Sequence, residues 1–522
     1  MHLRHFRPLP RPAQVAHDFR IRVELDLTRQ VIVAQRHELD SRGPQSCLGH
    51  ERHNAAVERA TSIDFHHVCI PATLGPVPPP TRHYEGSYTR RSQGLLHRYP
   101  DRRRCHVPPV GPGVGMTSPP APVFDQLLLR DPHRRYNALR DEAPVHHIRT
   151  PDGAPAWLVT RYDDVRAAFT DPRLSVDKRL SSTDGEHGSS LPPELDAHLL
   201  NRDPPDHTRL RRFAAAAFTP RRVADLRPAV ERIVSTLLDG LAGNDHAELI
   251  GSLASPLPLQ VMQELLGLPT QTSVDFRTWT NTLLSADANQ PAQSRSAMAS
   301  MRRFLIEQLA HKRARPGDDL LTGLLAPHAD GDRLSDDELV AMLFLLMFAG
   351  YDNTAALIGN VAHALLTNAE LAEAVRTGSL AVDELVDGVL RWNPSFPLAV
   401  RRFAREPVTI AGQLIPAGDR IWLCLASANR DPAQFTEPDT LGTTGMRCPH
   451  LSFGHGIHYC LGAPLARLQT TVAITSLLDR FPGIRLAVPA QDIRWRESFR
   501  LRGLVALPVF LSDGCGSGGT YG

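Results

Sequence analysis

The chain has 522 residues, is 42% hydrophobic and carries a net charge of +2, so it can build a large core in one big domain or several ordinary ones. Residues 1–115 hold 17 arginines and 10 acids while the rest holds 41 basic and 46 acidic side chains, which leaves the body without the basic footprint of a nucleic-acid binder. The seven cysteines show no paired framework, the longest apolar run (339–350) is 12 residues, and no apolar leader opens the chain, so a cytoplasmic protein without disulfides or a membrane span is expected.

Residues 1–115 differ in character from the rest of the chain. They hold 11 of the 24 histidines, scattered without metal spacing, together with proline-rich stretches at 76–80 and 108–112. Only 21–33 alternates like a strand. Such a segment is expected to be disordered, either as upstream sequence translated from a misplaced start codon or as a regulatory or binding extension. Ordinary globular patterning begins at Met116 and runs to 512; a glycine-rich tail, 513–522, is expected to be disordered.

Within the body, 125–142 reads as one helix, 157–160 as a strand and 162–169 as a helix. Pro204 and Pro205 fix the entry to a helix on which His207 and Arg211 lie one turn apart on one face. That pair suits a carboxylate ligand; Arg209 and Arg212 read as the solvated face. Amphipathic helices follow at 226–241, 258–266, 276–286 and 297–312.

Ser335-Asp-Asp-Glu338 is a capping box. The helix it opens is apolar nearly all round and belongs in a core. Its polar interruption is Ala349-Gly350-Tyr351-Asp352-Asn353-Thr354, where small residues permit close approach and a buried Asp352 is costly unless paired or functional. A further helix spans 381–392. Residues 400–412 alternate and turn like antiparallel sheet, 415–418 is a turn, and 419–428 is a strand followed by a helix start.

Leu451-Ser-Phe-Gly-His-Gly-Ile-His-Tyr-Cys460-Leu-Gly-Ala-Pro-Leu-Ala-Arg467 then places one cysteine in a glycine-rich loop before a helix that runs to about Phe481. A helix N-terminus favours a thiolate and its metal-binding form. Two bland readings compete: a buried apolar cysteine, and zinc held by Cys448, His450, His455, His458 and Cys460, whose spacing departs from the usual paired ligands.

The dense spacing Phe453-Gly454-x-Gly456-x-His458-x-Cys460-x-Gly462 resembles the haem-binding loop of the soluble bacterial cytochromes P450, and the resemblance extends over 116–512. It implies a mainly α fold with a smaller β-rich part, and haem b between the long helix and the cysteine loop. Cys460 would be the axial ligand of the iron. His207, Arg211, Arg402 (with Arg401 as fallback) and His458 would take the propionates. Ala349 and Gly350 would let haem and O2 approach, while Asp352, Asn353 and Thr354 would manage water and protons.

Three positions depart from the family. Asn353 stands where most members have threonine, Gly388 replaces the glutamate of Glu-x-x-Arg three places before Arg391, and Gly445 takes the place of the arginine partner. Asp387, at i−4, is expected to pair with Arg391 instead. The implied reaction inserts one oxygen atom from O2 into a small organic substrate, in secondary metabolism. Electrons would come from NAD(P)H through a ferredoxin and its reductase, because no flavin or iron–sulfur domain is fused. A P450-like coupling or peroxide-driven oxidase, and a non-catalytic haem-binding partner or sensor, remain open beside it.

Overall fold

The computed structural model describes residues 121–151, 153–182, 193–216, 218–269, 273–284, 291–328, 330–442 and 448–512. The extension at 1–115, the strand expected within it, Gly445 and the tail lie outside the described residues.

A proline splits the first expected helix. Asp131 ends α1 (Gln126–Arg130) and caps α2 (Pro132–Glu142) by accepting the Arg134 N–H at 3.2 Å; Pro132, lacking an N–H, starts a helix but does not continue one. Most other helices sit close to their expected spans: α3 (Tyr162–Ala168), α4 (Asp206–Ala215), α6 (Arg227–Asp239), after the unexpected short α5 (Pro220–Asp225), then α7 (Pro256–Leu266), α8 (Ser273–Leu284) and α9 (Pro291–Ala314), which starts earlier than expected. They are followed by α10 (Asp336–Thr367), α11 (Val382–Trp392) and α12 (Ala463–Arg480).

Both halves of the capping box form at the start of α10. Ser335 Oγ accepts the Glu338 N–H at 3.2 Å, and the Glu338 carboxylate accepts the Ser335 N–H at 2.8 Å. By length and composition α10 could cross a membrane, which corrects the 12-residue estimate: an 18-residue window has a mean hydropathy of 1.5. That window is 72% buried inside the protein, so its apolar surface goes into the core. Residues of α6, α7, α9, α11 and α12 pack with it in the largest apolar cluster. Gly350 and Gly359 permit the approach, since a Cβ there would lie 2.8 Å from Met262 Sδ and 2.7 Å from Ile250 Cδ1.

The β part is small. Strands β1 (Ala121–Pro122), β2 (Val145–Arg149), β3 (Pro155–Val159), β4 (Leu174–Ser175) and β5 (His246–Glu248) precede α10. Strands β6 (Arg402–Ala404), β7 (Val408–Ile410), β8 (Gln413–Ile415), β9 (Arg420–Leu423), β10 (Arg485–Leu486) and β11 (Pro508–Phe510) follow it. The main sheet has the order β1-β2-β3-β9-β6-β4. Its parallel β3–β9 pair is buried almost throughout, as continuous apolar strands are. The β7–β8 hairpin closes over Ala411 (φ 46°) and Gly412 (φ 83°), the two left-handed residues of a type I′ turn. A second apolar cluster joins Trp157, Phe169, Ile421 and Leu423 to Leu451, at the entry to the cysteine loop. The sheet β10-β11-β5 has no counterpart in the sequence reading, because strands of two or three residues carry no detectable period.

Candidate functional site

The cysteine loop is tied down at its entry. Asn429 Oδ1 accepts the Leu451 N–H at 2.7 Å, and the Ser452 hydroxyl donates to Leu390 O on α11 at 2.6 Å. Beyond these ties Gly454 (φ 75°) and Gly456 (φ 70°) take the left-handed conformation, and a Cβ on Gly456 would be tight against Thr170 and Phe169. The Cys460 N–H reaches Phe453 O at 2.9 Å, and Gly462 caps α12. Cys460 is accessible to solvent yet closely surrounded by protein. Its thiol pKa is raised, with burial the largest cause; the N–H groups of Gly462 and Ala463 and the charges of Arg211 and Arg467 pull it down without prevailing. The helix-end effect expected from sequence is therefore present and outweighed by desolvation.

Four residues from three distant segments converge beside this loop. The rings of His207 on α4 and His458 lie 4.3 Å apart at 55°. Arg211, one turn further along α4, donates to Tyr459 O at 2.7 Å. Arg402 opens β6, is 3% exposed, donates to Val400 O at 2.6 Å and lies 5.5 Å over the Phe169 ring. Burial and the neighbouring arginines bring the His458 pKa to about 3, and burial and Arg211 lower that of His207. Both imidazoles are neutral at pH 7, and each then offers one N–H. All four ring nitrogens are buried without a partner. Burial lowers the Arg402 pKa to about 10, which leaves it a cation at neutral pH.

The other arginines of α4 are partly solvated, as expected, and are also paired. Arg209 binds Asp332 at 2.9 Å and Glu338, the capping-box acid, at 2.6 Å; Arg212 binds Asp330 at 2.7 Å. They fasten α4 to the start of α10, and the acids they use lie 118 to 129 residues away in sequence.

On α10, Ala349 is exposed in the middle of an otherwise buried helix, with Asn353 one turn further along the same face. The Asn353 amide donates to Ala349 O at 3.4 Å. Gly350 faces Met262 rather than open space, and Thr354 is buried. Asp352 is 4% exposed; Arg496 stands 3.7 Å from Oδ1, and Oδ2 has no partner. Burial, opposed by Arg496, lifts the Asp352 pKa to about 6. A small cavity lined by Ser255, Asp352, Ala356, Arg496 and Gly503 adjoins it.

Asp387 does not pair with Arg391. Arg391 donates to Pro438 O at 2.7 Å, Thr440 O at 2.8 Å and Asn429 O at 3.4 Å, so carbonyl oxygens take the place of a carboxylate. Asp387 instead accepts from Arg467 Nε at 2.7 Å and lies 3.6 Å from His450 Nε2. The Arg467 guanidinium sits 4.6 Å over the Phe453 ring. With His450 turned to Asp387 and His458 against His207, the ligands weighed for zinc point to different partners. Sequence reading missed Arg496, Phe169 and the Asp387–Arg467 pair, which no local spacing signals.

The donor set fits haem. Unpartnered imidazole nitrogens beside two arginines suit paired carboxylates, a loop with two left-handed glycines presents the sulfur, and the facing helix carries a small exposed residue. The family model described as Cytochrome P450 matches residues 380–494. Cytochrome P450 107B1 of Saccharopolyspora erythraea is 44% identical over 396 residues, 74% of this chain and 96% of that one. The 6-deoxyerythronolide B hydroxylase of the same organism is 38% identical over 405 residues, covering 76% of this chain and all of its own. The solved structure of the bacillaene polyketide synthase cytochrome P450 PksS of Bacillus subtilis 168 superposes with a TM-score of 0.70 at 36% identity, over 75% of this chain and 99% of that one. The chain belongs to the cytochrome P450 family and is a haem-dependent monooxygenase of the bacterial type.

Proposed function

We propose that the chain hydroxylates or epoxidises a polyketide-derived or similarly sized small molecule, with electrons delivered from NAD(P)H by a ferredoxin and its reductase in the cytoplasm. Residues 116–512 form the haem domain on this reading. The observation that carries it is the convergence of His207, Arg211, Arg402 and His458 beside Cys460, with one unpartnered N–H on each imidazole. Haem b held there would supply reductive activation of O2, in which two electrons and two protons are consumed, one oxygen atom enters a C–H or C=C bond and the other leaves as water.

The chain's own residues do the rest. Cys460 would hold the iron through its sulfur, from a loop whose backbone Gly454 and Gly456 shape. His207, His458, Arg211 and Arg402 hold the propionates through N–H donors. Asp352, neutral below about pH 6 and charged above it, can carry a proton on Oδ2 between the cavity beside Arg496 and the face of Ala349. Asn353, fixed by its bond to Ala349 O, orients water there but supplies no hydroxyl proton. Thr354 packs into the helix. Arg221 and Arg222 are exposed on α5, which packs against α12, the helix that follows Cys460, and Ile457 is 49% exposed in the loop itself. That cationic surface suits an acidic ferredoxin.

A reduced carbon monoxide difference spectrum tests the haem site. A thiolate-type Soret band that disappears in Cys460→Ser supports the reading, and its absence after haem reconstitution rejects it. Product formation with a surrogate ferredoxin and reductase tests the electron route. The lack of an alcohol at Asn353 favours one second reading, coupling or peroxide-driven oxidation, for which hydrogen peroxide would support turnover without any reductase.

A further inference from the structure

Gly388 removes the carboxylate that the family places one turn before Arg391, and Arg391 is satisfied by three carbonyl oxygens. The only acid on the adjoining turn is Asp387, about 100° round the helix from position 388, so it faces α12 instead of the segment that holds Arg391. There it accepts Arg467 Nε at 2.7 Å, with His450 Nε2 at 3.6 Å. Arg467 lies seven residues past the cysteine, with its guanidinium 4.6 Å over the Phe453 ring. Phe453 is the residue whose carbonyl receives the Cys460 N–H at 2.9 Å. Arg467 also engages the Tyr459 hydroxyl, next to Cys460, and so brings its positive charge to the loop. One carboxylate thus reaches the cysteine by two routes, through the Phe453 ring that Arg467 covers and through the charge of Arg467 itself.

We propose that Asp387, acting through Arg467, is the positioning carboxylate of the cysteine loop and sets the electrostatic balance at the sulfur in place of the carboxylate that Gly388 lacks. This rests on the haem-thiolate reading. Asp387 partly neutralises Arg467, and the remaining charge decides how strongly the sulfur's negative charge is held back from a metal partner. Removing the carboxylate leaves a fuller positive charge beside the sulfur, which favours the electron-gaining side of the iron couple. Removing the cation does the reverse.

The test is a spectroelectrochemical titration of the ferric/ferrous couple in the parent, Asp387→Asn, Asp387→Glu and Arg467→Gln. Asp387→Asn should shift the equilibrium about two- to tenfold toward the reduced form, where tenfold is ~59 mV for one electron. Asp387→Glu should stay at the parent value, and Arg467→Gln should move the opposite way. Asp387→Asn at the parent potential, or both neutral variants moving in the same direction, overturns the proposal. If Asp387→Asn does not retain haem, Asp387→Glu decides: retention at the parent potential supports the carboxylate's role, and loss there too overturns it, because packing would then be at fault. A parent protein without a thiolate-type carbon monoxide band fails the haem-thiolate reading and this proposal together. A normal parent band with an unmoved Asp387→Asn potential fails this proposal alone.

Discussion

Asp352→Asn should make the protein more stable and less active at neutral pH. Asp352 is 4% exposed, Oδ2 has no partner, and Arg496 is 3.7 Å from Oδ1, too far for a hydrogen bond. Burial is the dominant cause that lifts its pKa from 3.8 to about 6. A carboxyl that ionises less readily in the folded chain than in the unfolded one costs nothing below the unfolded pKa. It costs progressively more as pH rises to the folded pKa, and reaches a plateau above it. At about 1.36 kcal/mol per pKa unit, the gap between 3.8 and about 6 is worth roughly 3 kcal/mol. Asparagine is neutral at every pH. Its amide NH2 needs an acceptor and Arg496 loses its anion, which together return about 1–2 kcal/mol. The variant should therefore be ~1–2 kcal/mol more stable at about pH 7.5, with the advantage shrinking below about pH 6 and vanishing near pH 5. Urea unfolding of both proteins across that range measures it. Turnover should fall by about 100-fold, the low end of what a proton-transfer group contributes. A stability difference that does not change with pH, or a variant weaker than the parent at pH 7.5, refutes the reasoning.

Arg402→Leu should weaken haem binding by about 10- to 150-fold, the equivalent of ~1.5–3 kcal/mol for a hydrogen bond to a charged group; competition with an apo-globin for haem reads this out, and unchanged retention places the propionates elsewhere. Gly456→Ala should cost more stability than Gly378→Ala. Both glycines have positive φ, 70° and 74°, and a side chain there strains the backbone by about 1–2 kcal/mol. Only Gly456 adds a clash, with Thr170 Cγ2 at 3.0 Å and Phe169 O at 3.2 Å; equal losses in thermal melts would mean the loop yields. Asn353→Thr should raise the fraction of electrons that end in product, and unchanged coupling would mean that the asparagine is itself adapted to proton delivery.

Helices were legible where local chemistry was strong. The capping box placed the start of α10 to the residue, and Pro204-Pro205 placed that of α4 within one. Pro132 was equally visible, yet the apolar pattern carried the reading across it and merged two helices. Strands of two or three residues, as in β4, β10 and β11, fell below any detectable period. The long apolar helix was recognised as core.

What the sequence by itself determined is the family and its local motifs: a cysteine among glycines at fixed offsets, and an imidazole and guanidinium one helical turn apart, are patterns written over ten or so residues. Which charges meet was decided only by the fold. Asp387 had two arginines available, four residues along its own helix and eighty along the chain, and helix packing gave it Arg467. The ion pairs of Arg209 and Arg212 were not legible because their acids lie more than a hundred residues away. The direction of the Cys460 shift also came from the fold, since a helix terminus is local but burial is a property of everything packed around it.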